Sequence, residues 1–385
     1  MNRLTTSQGG FDLARFPENP RDPFRAWDAA DEYLLRQLEG IDDAAPVDLS
    51  GTVAVVGDRW GALTTVLAEH GPVQITDSYL AQRATLANLA RSGAGEDSVR
   101  LLSALDTPPD RIDVLLVRVP KSLALLEDQL HRLAPAVHAG TVVIGTGMVK
   151  EIHTSTLKLF ERIIGPTRTS LAVKKARLIF CTPDPELSRT PSPWPYRYDL
   201  PADVGIASGR TVTNHAGIFC AERLDIGTRF FLNHMPARTG PDRVVDLGCG
   251  NGVLGVAAAL ANPEAAVTFV DESYLAVASA EETFRDNLGP DAEAGFVVGD
   301  GLAGVERGSV DLVLNNPPFH SHQATTDATA RDMFVGARTA LRQGGELWAV
   351  GNRHLSYHVL LRRIFGNCTT IAGDPKFVVL RAVKR

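Results

Sequence analysis

Asn316-Pro317-Pro318-Phe319 combines residue types that can do specific chemistry. It follows Val310-Asp311-Leu312-Val313-Leu314, a short apolar run that reads as a buried strand. Neither proline can donate to a sheet ladder, so the strand stops and Asn316 stands at its carboxyl end. Open α/β sheets hold their ligands there. The Asn316 amide oxygen and the Pro317 carbonyl can each accept a hydrogen bond from an NH2 group. The Phe319 ring can stack on the planar system carrying that group. The combination suits methylation of an exocyclic or amide nitrogen. Four residues alone also allow a plain proline-rich turn with Phe319 buried.

A second set lies upstream. Asp246-Leu247-Gly248-Cys249-Gly250-Asn251-Gly252 closes another apolar run. Glycines let a backbone approach a ligand and adopt positive φ, and the next helix aims its first amides into the same space. Asp271, with Glu272 beside it, comes about twenty residues on, where an acid accepts from two ribose hydroxyls. Gly299-Asp300-Gly301 ends a third strand, where Asp300 can accept from an adenine amino group. Gly250-x-Gly252-x-x-Gly255 by itself also fits a dinucleotide loop or a tight strand-to-helix turn. Together with Asp271, Asp300 and the Asn-Pro-Pro-Phe strand end, it forms a specific set.

These loops need a parallel sheet behind them. The 385-residue chain is 44% hydrophobic and 22% charged, ordinary for a soluble globular protein of two or three domains. Strands are expected at 51–57, 73–77, 113–119 and 141–145, then again at 243–247, 267–270, 296–298, 311–314, 346–350 and 377–383. Helices are expected between them, among them 122–134, 253–261, 275–287 and 328–341. Trp27 to Leu35 reads as an amphipathic helix, residues 1–25 as an irregular arm, and Gly344-Gly345 as a turn. The fold class is therefore α/β, with largely parallel sheets flanked by helices. Thr76-Asp77-Ser78-Tyr79-Leu80-Ala81 resembles Asp271-Glu272-Ser273-Tyr274-Leu275-Ala276, and Asp113-Val-Leu-Leu aligns with Asp311-Leu-Val-Leu. One domain has been duplicated. The expected divisions are 1–181, a proline-rich linker at 182–200, and 201–385.

The four cysteines are scattered without a C-x-x-C pair, which argues against zinc or a disulfide framework and fits a reducing cytoplasm. The histidines lack metal-ligand spacing, so no metal is expected. No segment is apolar enough to span a membrane, and residues 1–16 lack the core of a signal peptide. A net charge of −6 leaves nucleic-acid binding to local basic faces. Two suggest themselves. One is Lys150, Lys158, Arg162, Arg168, Lys174, Lys175 and Arg177; the other is Arg353, Arg362, Arg363, Lys376, Arg381, Lys384 and Arg385.

The second half resembles a class I S-adenosyl-L-methionine-dependent methyltransferase, and Asn316 to Phe319 resembles the motif of the amino-nitrogen enzymes. The whole chain resembles the two-domain rRNA guanine-N2 methyltransferases, nearest their large-subunit branch. The matching stretches run from Ala26–Leu35 through Thr213–Ala216, Leu224–Gly227, Asn316–His320, Gly345–Leu347 and Asn352–Leu355 to Ile364–Thr370. The resemblance implies two tandem Rossmann-like domains and a cofactor site of Asp246, Gly248–Gly252, Asp271, Glu272, Asp300, Gly301 and Asn316. It implies catalysis by Asn316, Pro317, Pro318 and Phe319, and an rRNA substrate, with no obligate protein partner. It also implies that residues 214–231 cover the cofactor pocket and that the N-terminal copy has lost its own. The residues agree with that loss. Gly57-Asp58-Arg59-Trp60-Gly61 stands where the second half has Gly248 to Gly252, and Arg118-Val119-Pro120-Lys121 stands where it has Asn316 to Phe319. The first half is then free to position RNA. A small-subunit rRNA enzyme, a protein-glutamine or DNA-adenine methyltransferase, and a non-enzymatic RNA-binding assembly factor remain the alternatives.

Overall fold

A computed structural model of the chain describes residues 3–19, 22–40, 45–188, 190–318 and 323–385, the side chains of 323–327 excepted. Contacts divide it into two compact units, Met1–Pro193 and Trp194–Arg385.

The first unit opens on a hairpin, β1 (Arg3–Thr6) with β2 (Gly9–Asp12), where an irregular arm was expected. These strands are largely exposed and carry no run of apolar residues to mark them. The sheet contains β3 (Val53–Val56), β4 (Val73–Thr76), β5 (Arg100–Ser103), β6 (Ile112–Arg118), β7 (Val137–Met148), β8 (Thr167–Thr169) and β9 (Ala176–Cys181) in the order β5-β4-β3-β6-β7-β9-β8. Strands β3 to β7 pair in parallel, and β9 and β8 are antiparallel additions at one edge. The helices are α1 (Ala29–Leu38), α2 (Ala62–Val66), α3 (Tyr79–Arg91), α4 (Leu123–Leu133) and α5 (Thr154–Ile163). Both faces are covered, which explains the unbroken apolar strands. Val53 and Val55 pack with α1 and α2, whereas Ala54 and Val56 pack with α4 and α5.

The second unit repeats this order. A hairpin of β10 (Tyr196–Asp199) and β11 (Thr211–Asn214) precedes the sheet. The last part of the expected linker is thus a strand of the second unit. Its first part belongs to the first unit, where the Thr182 and Asp184 amides donate to the carbonyls of Pro166 and Ile164. The sheet contains β12 (Arg243–Leu247), β13 (Ala266–Asp271), β14 (Gly295–Val298), β15 (Val310–Asn315), β16 (Leu341–Asn352), β17 (Thr369–Gly373) and β18 (Phe377–Val383), ordered β14-β13-β12-β15-β16-β18-β17. Its helices are α6 (Ile226–Leu232), α7 (Val253–Ala261), α8 (Tyr274–Leu288), α9 (Gln323–Ala340) and α10 (Tyr357–Phe365).

The repeat reaches into details. Ser78 and Ser273 cap α3 and α8 by accepting from the Ala81 and Ala276 amides at 3.1 and 3.0 Å, which accounts for the repeated hexapeptide. Ile112 pairs with Val137 and Val114 with Val142; Val310 pairs with Leu341 and Leu312 with Glu346. Both halves therefore carry the same bulge. Gly344 and Gly345 lie inside β16 and not in a turn before it, and Gly344 takes the positive φ of 77°.

Candidate functional site

In the second sheet the chain leaves β12 toward β13 on one side and returns on the other as β15. A crevice opens where strand order reverses in this way. Leu247 and Asn315 are register partners there, and the Asn315 amide donates to the Leu247 carbonyl at 2.7 Å. The glycine loop and the Asn-Pro-Pro strand end are thereby held side by side.

Each glycine of the loop has its own reason. Gly248, Gly250 and Gly252 take φ of +67°, +53° and +78°. A Cβ on Gly252 would come within 2.8 Å of Ala280 on α8, and one on Gly255 within 2.2 Å of the Phe269 ring on β13, so these two let α7 close on α8 and on the sheet. A Cβ on Gly250 would meet nothing within 4 Å. That part of the loop borders open space, with room for a ligand. The Gly250 amide donates to Asp271 at 3.0 Å, and the Ser273 amide donates to its other oxygen at 3.1 Å. Asp271 therefore stands beside the loop at the end of β13. Burial raises its pKa. Glu272 follows it, half-buried, while Asp300 and Gly301 come after β14, with Asp300 exposed. Partial burial, then Asp332, raises the pKa of Asp300. Cys249 is buried, which pushes its thiol pKa well up and leaves it unreactive.

Asp246 is buried and accepts from the Gly255 amide at 2.8 Å. Burial, with Asp271 adding, pushes its pKa up to about 8. A raised acid favours the folded state below its unfolded value, and that advantage is lost as pH rises through the folded value near 8. The Asp246→Asn variant should therefore show a flatter decline in urea-unfolding midpoint between pH 4 and pH 8 than the parent. An unchanged decline would place the titration elsewhere.

Asn316 is half-buried, Pro317 buried and Pro318 exposed. The Asn316 NH2 donates to Thr228 Oγ1 at 2.9 Å, with Asp225 at 3.4 Å. Its carbonyl oxygen is buried and has no partner among the described residues. Phe319 and His320 lie outside the described residues. Asn251, from the glycine loop, donates to the buried Asn214 at 2.9 Å, so β11 reaches the loop. Of the stretch expected to cover the pocket, Phe231 is core and Phe230 packs partly against it, whereas Phe219 is 52% exposed. Asp225 and Thr228 fall within the 214–231 stretch expected over the pocket, but the sequence did not single them out, nor did it give Asn315 a role in this cluster.

The equivalent place in the first unit is filled. Arg118, at the Asn316 position, is 1% exposed and bonds Asp28 at 2.6 Å, Glu151 at 3.0 Å and Asp31 at 3.3 Å. Arg59, at the Gly250 position, reaches Glu151 at 3.1 Å. Burial would raise Glu151, but Arg118, the Met148 amide and Arg59 bring it down to about 2. Asp31 is raised to about 7 by burial, against the pull of Arg118. Thr76 replaces Asp271 and keeps only its structural bond, from the Ser78 amide at 3.2 Å.

Both basic groups are partly consumed by structure. Arg162 pairs with Glu127, Lys174 with Glu32 at 3.0 Å, and Arg168 lies 4.3 Å over the Phe180 ring. Arg381 pairs with Glu346, Lys384 donates to the Thr339 and Leu341 carbonyls, and Arg353 donates to the Asp374 carbonyl. Lys150, Lys158 and Lys175 stay exposed in the first unit, and Arg362 and Arg363 in the second. Among the described residues there is no cluster suited to a metal ion and no helix long and apolar enough to cross a membrane.

Comparison with known proteins bears on the same two units. The RLMG N-terminal domain matches residues 1–185 and the methyltransferase small domain matches 209–381. A ribosomal RNA large subunit methyltransferase G of Streptomyces griseus is 80% identical over 385 residues, covering 100% of both chains. The chain belongs to the ribosomal RNA large subunit methyltransferase G family. A Pseudomonas aeruginosa member is 50% identical, again over 100% of both chains. Among solved structures, a T. thermophilus 16S rRNA N2 methyltransferase in complex with AdoMet and guanosine superposes with a TM-score of 0.75. It shares 22% identity and covers 100% of this chain and 97% of its own. That likeness establishes a common fold.

Proposed function

We propose that the second unit methylates the N2 amino group of a guanine in large-subunit rRNA, in the cytoplasm, and that the first unit helps to hold the RNA. The observation carrying this reading is the Asn316 amide oxygen, a buried acceptor at the end of β15 without a partner among the described residues. A stranded acceptor costs about 1–3 kcal/mol, and one beside the glycine loop at a strand's carboxyl end is placed to be filled by a ligand.

The residues present fit S-adenosylmethionine. Gly250 borders open space, Asp271 offers a carboxylate for ribose hydroxyls, and Asp300 stands at the next strand end. When bound, the cofactor supplies an electrophilic methyl group on a sulfonium. The protein's task is orientation. The lone pair of a guanine amino nitrogen is delocalised into the ring. Hydrogen bonds from its two N–H groups to Asn316 and the Pro317 carbonyl turn the nitrogen toward the reaction axis. Phe319 stacks on the base. Positioning and electrostatics are then the source of rate. No strong base is needed, because the nitrogen sheds its proton readily once alkylated. A paired guanine must first leave its stack.

The deciding experiment is mass mapping of methylated guanines in rRNA from cells lacking the protein. One N2-methylguanine of large-subunit rRNA should vanish and return with the wild-type gene. Loss from small-subunit rRNA, or no loss at all, would overturn the reading.

The role of the first unit has a separate test. Lys174 and Lys175 form the tip of a hairpin between Val173 and Ala176, both at positive φ, 49° and 65°. Non-glycine residues rarely accept this, and here it exposes both lysines, Lys174 while still paired with Glu32. Charge reversal of both should weaken rRNA binding and lower the slope of log affinity against log salt by roughly one to two. An unchanged affinity and slope would leave the first unit as a scaffold.

A further inference from the structure

Asn316 can serve as an acceptor only if its amide points the right way, and an amide side chain is nearly symmetric in shape. The residues that choose its direction lie on α6, far away in sequence. Asp225 is the N-cap of that helix: its Oδ2 accepts from the Thr228 amide at 2.8 Å. The same oxygen accepts from the Thr228 hydroxyl at 3.2 Å. A threonine hydroxyl has one proton. With that proton committed to Asp225, Thr228 Oγ1 faces Asn316 as an acceptor, and the 2.9 Å contact can be filled only by an NH2 group. Asp225 Oδ2, at 3.4 Å from the same nitrogen, enforces the same choice. Flipping the amide would set its oxygen against a carboxylate and a lone pair. The carbonyl oxygen is therefore directed away from α6, where it is buried and has no partner among the described residues.

The first unit contains the same device with a different cargo. Asp28 caps α1, accepting from the Ala30 amide at 2.8 Å, and bonds Arg118 at 2.6 Å. In each unit the cap acid of the helix preceding the first sheet strand grips the residue at the end of the fourth. In the first unit the acid neutralises a guanidinium. In the second, a hydroxyl is interposed and the gripped residue is a neutral amide with a defined polarity.

We infer that Thr228 and Asp225 are positioning residues of the methyl transfer, setting the Asn316 amide so that its oxygen receives the N–H of the target base. This rests on the proposed role of Asn316. The bond to a hydroxyl already polarised by a carboxylate also strengthens that oxygen as an acceptor, since chained hydrogen bonds reinforce one another.

The test uses the full chain, with undermethylated large-subunit rRNA from cells lacking the protein as substrate. Thr228→Val keeps the shape of the side chain and removes the acceptor. It should lower kcat at least ~10-fold, leaving KM for rRNA and calorimetric S-adenosylmethionine affinity within about threefold. Thr228→Ser keeps the hydroxyl and should recover most of the rate. Adding Thr228→Val to Asn316→Ala should lower the rate no further, because coupled residues are not additive. A near-normal kcat in Thr228→Val, no recovery in Thr228→Ser, or multiplying losses in the double variant would overturn the inference. So would loss of cofactor binding alongside turnover, which marks a merely structural role. Full activity of Asn316→Ala would instead sink the proposed role of Asn316 itself.

Discussion

Replacing Asn316 by alanine should lower turnover by ~100-fold or more, the usual effect of deleting one oriented group that acts only toward the transition state. Cofactor affinity should stay within a few fold. The Asn316 NH2 is held by Thr228 and Asp225, not by the glycine loop, and its oxygen has no partner to lose among the described residues. Asp271 and the Gly250 amide, which border the loop's open space, do not depend on it. The substitution also removes a buried unsatisfied oxygen, so thermal stability should hold or rise slightly. The Thr228 hydroxyl loses one donor but keeps its bond to Asp225. The measurements are single-turnover methylation of undermethylated rRNA and calorimetric titration of S-adenosylmethionine. Near-normal methylation by the variant would remove Asn316 from the chemistry.

How far the sequence could be read follows from the range of the interactions involved. Strands Arg243–Leu247 and Phe377–Val383 and the helix Val253–Ala261 have the bounds expected from apolar runs and their punctuation, because burial on both faces writes itself into consecutive residues. The glycine loop and the Asn-Pro-Pro strand end were legible because local backbone geometry demands those residue types. The hairpins β1–β2 and β10–β11 were not, since none of their strands carries consecutive apolar residues. Nor was the contact between α6 and Asn316, which joins residues 88 and 91 apart. The Asp225-x-x-Thr228 spacing signals a helix start, but only the fold shows which strand end that cap faces. The ion cluster around Arg118 was half legible. The sequence displayed Arg59 and Arg118 at positions where glycine and asparagine stand in the second unit. It did not show Asp28, Asp31 and Glu151 converging on them.

That cluster leads to the second large effect. Introducing arginine at Gly250 should abolish S-adenosylmethionine binding altogether, because it gives the second unit what the first already has. Two physical terms act together. Gly250 sits at φ +53°, where a side chain costs roughly 1–2 kcal/mol. The added Cβ also points into space with nothing within 4 Å, so the rest of the side chain fills the volume left for a ligand. Gly250→Ala separates the two, since it carries the backbone strain with only a methyl group and should retain weakened binding. In the first unit Arg59 is not among the residues at positive φ. Its loop has adopted another course, with the guanidinium anchored on Glu151 and 3.9 Å from Asp28. Calorimetry on the full wild-type chain should therefore find one cofactor site, and on Gly250→Arg none, with the thermal midpoint of the variant lowered by no more than a few degrees. Two sites in the wild type, or one surviving in Gly250→Arg, would mean that the first unit binds cofactor despite Arg59 and Arg118.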